Sequence, residues 1–95
     1  MLGLMQDHPL LISNIFEHAI NSYSDQLIIS NTVEGGIHKY SYKDWGNRTK
    51  KLANALKSFG LSKGDKVGTL AWNGYRHLEI YYATSSSQFI CHTIN

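Results

Sequence analysis

Several short runs in this chain have residue types and spacings that invite a chemical reading. Ser85-Ser86-Ser87 stands near the end of a helical pattern and offers hydroxyls to a phosphate. A phosphate-cradling loop needs glycines that turn backbone N–H groups toward the anion, usually with a lysine. Neither is present, so the serines read as a solvated or packed helix end. Cys91-His92 suggests a nucleophile beside a base. On a strand, adjacent side chains point to opposite faces. The pair therefore cannot easily share a proton, and no third orienting group stands at a suggestive spacing. Cys91 reads better as a buried structural cysteine. The five histidines, His8, His18, His38, His77 and His92, lack the compact spacing of a metal cluster. Arg76 and Glu79 are three residues apart and are expected to pair across one helical turn as local support. Lys43, Arg48, Lys50, Lys51 and Lys57 make one helix mildly basic, which a solvated outer face explains. No catalytic, cofactor-binding or metal-binding residue is assigned from these runs.

The elements that would hold these residues follow from periodicity. Residues 1–9 are expected to form an extended lead-in. Ile12, Ile15, Phe16, Ala19, Ile20 and Tyr23 recur at helical spacing, which predicts a helix over 11–23. Leu27 to Ser30 and Ile37 to Tyr40 read as antiparallel strands, with Gly35-Gly36 supplying the turn between them. A helix from Ser41 to Phe59 is marked by the stripe Tyr42, Trp45, Thr49, Leu52, Ala53, Leu56 and Phe59. Ser41 and Asp44 form a capping-box pair at its start, and Gly60 suits its C′ position. Gly46 inside it costs about 1 kcal/mol relative to alanine. Lys63-Gly64-Asp65 then opens an apolar run, Val67 to Trp72. A helix over 74–87 follows, with Asn73 as N-cap and Tyr75, Leu78, Tyr81, Tyr82 and Ser85 along one side. A second apolar run starts at Phe89. This order is that of a parallel β-α-β unit, and no helix follows the second strand to cover it.

Composition narrows the classes. Ninety-five residues with 42% hydrophobic and 17% charged content suit one small folded domain, with no internal boundary. A formal net charge of +2 makes no electrostatic case for nucleic acid. One cysteine excludes an intrachain disulfide and fits a reducing, cytoplasmic setting. No apolar run approaches the roughly 20 residues of a membrane span, and the start lacks the pattern of a signal peptide.

The wording of the last third also carries a resemblance. Gly64-Asp65-Lys66-Val67, Leu70 to Glu79 (LAWNGYRHLE) and Cys91-His92-Thr93-Ile94-Asn95 are similar to the amino-terminal region of acyl-CoA synthetases. These belong to the AMP-dependent synthetase/ligase, or adenylate-forming, superfamily. The chain most resembles bacterial medium-chain fatty-acid–CoA ligases and methylthio-propanoate–CoA ligases, and the likeness extends back to Met1. The resemblance implies an α/β fold, the amino-terminal part of the large domain, ordered helix, β-hairpin, helix-strand-helix-strand and incomplete as an independent domain. It implies a parent enzyme that activates a fatty or other short- or medium-chain carboxylic acid with ATP and Mg2+, then transfers the acyl group to coenzyme A. The rest of the same polypeptide would supply the phosphate loop, the nucleotide motifs and the catalytic lysine, so residues 1–95 are expected to be inactive scaffold. A homodimer of the full enzyme is a further expectation of the resemblance. Family members generally carry Gly near Gln88; if that position needs a positive φ, Gln costs about 1 kcal/mol.

Two other readings stand beside this one. The chain could be a truncated remnant or a small oligomerising module, in which case the open strand at Phe89-Ile90 needs a partner. A small self-contained enzyme is disfavoured, because no convergent catalytic set emerges.

Overall fold

The structure is a computed structural model that describes residues 3–94. Met1, Leu2 and Asn95, the ends of the expected lead-in and of the resembling segments, lie outside the described residues. Helix α1 (Ile12–Ser22), strands β1 (Leu27–Asn31) and β2 (Ile37–Ser41), helix α2 (Tyr42–Ser58), strand β3 (Lys66–Thr69), helix α3 (Tyr75–Ser85) and strand β4 (Ile90–Thr93) follow in that order. β1 and β2 pair antiparallel, Ile28 opposite Tyr40. β3 and β4 pair parallel, Val67 opposite Cys91, with α3 as the crossover.

Local chemistry accounts for most boundaries. The lead-in turns at Gly3-Leu4 and bends at Asp7. It is anchored by the Asn14 side chain, which donates to the Pro9 carbonyl at 3.0 Å. In the hairpin loop, Gly35 and Gly36 have φ of 90° and 97°, a region L-residues avoid. There the Thr32 N–H donates to the Gly36 carbonyl at 3.0 Å. The Ser41–Asp44 capping box is present in both directions.

Other boundaries differ from the sequence expectation. β3 ends at Thr69 rather than Trp72, because β4 offers a ladder only as far as Thr93. Leu70 and Trp72 leave the sheet and are largely exposed. The α3 cap is Gly74 and not Asn73: the first helical bond runs from the Leu78 N–H to the Gly74 carbonyl, and no side chain caps the turn. At its other end, the Phe89 N–H reaches back to the Thr84 carbonyl at 3.0 Å. The chain turns over Gln88 within that six-to-one bond, and Gln88 takes φ 66°.

The core is aromatic. Phe16, Tyr40 and Trp45 are buried, with Ala19, Ile20, Ile28, Tyr42, Tyr75, Leu78 and Tyr82 around them. Phe16 and Tyr82 each meet Trp45 edge-on, at ring-centre distances of 4.8 and 4.9 Å, a favoured quadrupolar arrangement. Gly46 lets α1 approach α2: a Cβ there would stand 2.9 Å from Ile20 Cγ2. The expected stripes are only partly buried. Ile12, Ile15, Tyr23 and Phe59 are exposed. α3 is buried chiefly through His77, Glu79, Ala83 and Thr84, because it is flanked by α1, α2 and both sheets, rather than along a single Tyr75–Ser85 side.

Candidate functional site

Glu79 is the least expected buried residue. It lies in α3 at helical spacing between Tyr75 and Ala83, and only 6% of its side chain is exposed. The carboxylate is held from two elements. Tyr40 Oη, on β2, donates to Glu79 Oε1 at 3.1 Å, and Arg48 Nε, on α2, donates to the same oxygen at 2.7 Å. A charged acceptor with two such donors satisfies the rule that buried charge must be paired and hydrogen-bonded. Burial, then the neighbouring Glu79 charge, pushes the Tyr40 phenol well above its ordinary range. The hydrogen bond to Glu79 raises Arg48 further.

An aromatic and ionic layer continues from this tie. His38 stacks on Tyr75 at 3.6 Å between ring centres, and the Arg48 and Arg76 guanidinium groups stand 5.9 and 5.0 Å from the Tyr75 ring. Arg76 Nη1 donates to Glu34 Oε1 in the hairpin loop at 2.7 Å. Glu34 is held below the usual carboxylate range by its own backbone N–H first and by Arg76 second. The expected Arg76–Glu79 pair therefore does not form: Arg76 turns outward to the loop, and Glu79 turns inward to α2 and β2.

The second polar feature lies at the opposite side of α3. His77 Nε2 is 3.0 Å from Thr69 Oγ1, and the ring stacks on Tyr81 at 4.4 Å. His77 Nδ1 is buried without a partner among the described residues. Two adjoining cavities of about 220 and 430 Å³ share Ser30, Asn31, Asn73, Gly74 and His77 in their walls.

The residues singled out from sequence do not converge. Ser85 is exposed at the end of α3, Ser86 Oγ is buried without a partner, and no glycine-rich loop with lysine accompanies them. Cys91 is half-buried rather than buried, because among the described residues only α3 packs against β4; His92 on the other face is exposed. The histidines stay apart, and among the described residues no group of three or more His, Cys, Asp or Glu could hold a metal. On α2, Lys50 reaches Glu17 at 3.9 Å, Arg48 turns to Glu79, and Lys43, Lys51 and Lys57 face solvent. The Tyr40–Glu79–Arg48 tie was missed because Glu79 was paired by local spacing alone. Its place on the buried stripe between Tyr75 and Ala83 was the available signal.

Chemically, the tie neutralises its own charge and leaves no free nucleophile or base. It fastens the hairpin to two helices. The cleft beside His77 stays open to solvent and carries both apolar and polar side chains.

The chain is 42% identical over its whole length to a 3-methylmercaptopropionyl-CoA ligase of Ruegeria lacuscaerulensis. It is 40% identical to a medium-chain-fatty-acid–CoA ligase of Ectopseudomonas oleovorans. It spans only 18% and 17% of those two proteins. A fatty acyl CoA synthetase of Mycobacterium tuberculosis has the same fold over 90% of this chain and 16% of its own, with a TM-score of 0.73 at 17% identity. No helix among the described residues is long and apolar enough to cross a membrane. The AMP-binding enzyme family matches residues 16–95, and the chain belongs to that family.

Proposed function

We propose that this chain is the amino-terminal part of the large domain of an AMP-forming acyl-CoA ligase. The full polypeptide would join a fatty or other short- or medium-chain carboxylic acid to ATP, giving an acyl-adenylate and pyrophosphate. The coenzyme A thiol would then take the acyl group and release AMP. The observation that carries this reading is 40–42% identity across all 95 residues to two ligases of differing acid substrate. Such a reaction needs donors and Mg2+ to offset phosphate charge. The donor set for that ion is not assembled among the described residues, so no residue here is assigned to it and no step is routed through it. The role of residues 3–94 in this reading is to set the position of sheet strands and helices on which later segments build. A cytoplasmic setting and a homodimer belong to the same proposal.

The test is thioester formation by the intact polypeptide with ATP, Mg2+, coenzyme A and a series of acids of increasing chain length. Coupled release of AMP with at least one acid is expected. The isolated 95-residue chain should give none. Absence of AMP-coupled thioester formation across the series by the folded intact polypeptide would overturn the reading.

A further inference from the structure

Among the described residues β3 is paired along one edge only, and a groove runs beside the other. The Ile90 and Ile94 N–H groups donate to the Asp65 and Thr69 carbonyls at 2.8 Å. Successive residues of a strand present their N–H and C=O groups to opposite edges. Asp65, Val67 and Thr69 therefore face β4, and Gly68 turns its N–H and C=O the other way. Among the described residues no strand meets them there. An edge of this kind is a template for another strand.

The helices extend past that edge. α3 covers the sheet, with His77 Nε2 3.0 Å from Thr69 Oγ1, and α2 packs beside α3. Helices pack about 9 Å apart and strands about 4.8 Å apart, so each helix covers roughly two strands. Two helices over two strands leave the β3 side of α2 without a strand against it. The result is an open cavity of about 250 Å³, lined by Leu52 and Leu56 of α2, Ile80 of α3, and Val67, Leu70 and Ala71. No charged side chain stands in its wall. A closed cavity of about 150 Å³ admits a benzene ring, so this one has room for two aliphatic side chains.

We propose that the free edge of β3 takes a further strand of the same polypeptide, supplied from outside residues 1–95. Its main chain pairs with Gly68, and two alternate apolar side chains fill the cavity against Leu52, Leu56 and Ile80. Main-chain pairing and alternate side-chain pockets together are what a strand added to a sheet edge requires. The proposal rests on the reading above only in needing a longer polypeptide, and the chain spans 18% and 17% of the two ligases it matches. A second copy fits the groove poorly. Antiparallel pairing of two β3 edges about a two-fold axis would carry the second α2 into space that α2 and α3 already fill.

The test uses the intact polypeptide grown with photo-leucine, whose diazirine side chain is close to leucine in size. Cross-links from Leu52 or Leu56 should reach an apolar segment outside residues 1–95, in the monomer band. In the unlabelled protein the Gly68 amide should exchange roughly 100-fold or more slower than an open-chain glycine amide. Fast exchange at Gly68 overturns the proposal. So do Leu52 and Leu56 photoproducts that stay within residues 1–95 or carry only water, which would mean an open groove. Cross-links confined to a covalent dimer also overturn it, since the strand would then come from a second copy. Thioester formation is assayed on the same unlabelled protein. Its absence would remove the ligase reading and leave the added strand standing, so the two failures are separate.

Discussion

Gln88 shows how a single residue can be read from pattern and then explained by geometry. The expectation was a helix-to-strand junction that prefers glycine. The structure gives Gln88 a φ of 66° inside a six-to-one bond between Phe89 and Thr84. A side chain in that region costs about 1 kcal/mol relative to glycine. Gln88→Gly should therefore raise the melting temperature of the intact polypeptide; an unchanged or lower value removes the strain. Glu79 shows the opposite case, where local spacing misled. Its pairing with Arg76 was a reasonable inference from three-residue separation, but burial decides differently. A carboxylate facing the core takes the donors the core supplies, and these come from residues 31 and 39 positions away. No short-range rule reaches that far. Arg48→Met should leave Glu79 with Tyr40 alone and cost about 1–2 kcal/mol, since the arginine is half-exposed and part of its attraction is screened. Denaturant unfolding of Arg48→Met, Tyr40→Phe and the double variant should show non-additive losses. Tyr40 also gives a pH signature. Its phenol is raised from an ordinary 10.0, so the folded state favours the protonated form. That stability is complete below pH 10 and is lost as pH rises through the higher folded value. Tyr40→Phe should flatten the alkaline fall in stability, and an identical fall in the variant would show that another group is responsible.

At the scale of elements, the sequence was legible where capping and periodicity agree. α2 starts at its capping box and the hairpin turns over its two glycines, because both signals are local and act within four residues. The start of α3 was misplaced by one residue, since Asn73-Gly74 offers two candidate caps and only the backbone bond to Leu78 chooses between them. Burial of stripes was less legible, because which face of a helix is covered depends on neighbours that periodicity does not name. Gly46 makes this concrete. Helix propensity alone says that alanine should be better by about 1 kcal/mol. Packing says otherwise: the new Cβ would stand 2.9 Å from Ile20 Cγ2, a branch close to the backbone of α1 and slow to yield. Overpacking of this kind costs about 1–3 kcal/mol, which outweighs the propensity gain. Gly46→Ala should therefore destabilise the protein, and Ile20→Leu, which removes the Cγ2 branch, should restore much of the loss. Thermal melts of the two single variants and the double variant decide it; a stabilising Gly46→Ala would show that α1 can move away at little cost.

At the scale of the molecule, the two sheets have two strands each among the described residues, and many large apolar side chains lie outside the core. Leu70 is 78% exposed and Trp72 79%, just after β3, and Ile90 at the start of β4 and Ile94 just after it are exposed. Single exposed apolar residues are ordinary, but a group of them beside an unpaired strand edge marks a surface meant for contact. The curated relatives are more than five times the length of this chain, which gives that surface a source of cover within one polypeptide. In the proposed ligase the catalytic groups would come from later segments. A site assembled from segments far apart in the chain cannot be read from its first part, however closely that part matches a family. Hydroxyl-radical footprinting can test the covering directly. Oxidation of Leu70 and Trp72 should be strongly reduced in the intact polypeptide relative to the isolated 95-residue chain, whereas the exposed lead-in residue Met5 should react alike in both. Equal oxidation of Trp72 in the two would mean that the β3 end stays open in the whole protein and that its apolar surface serves a separate partner.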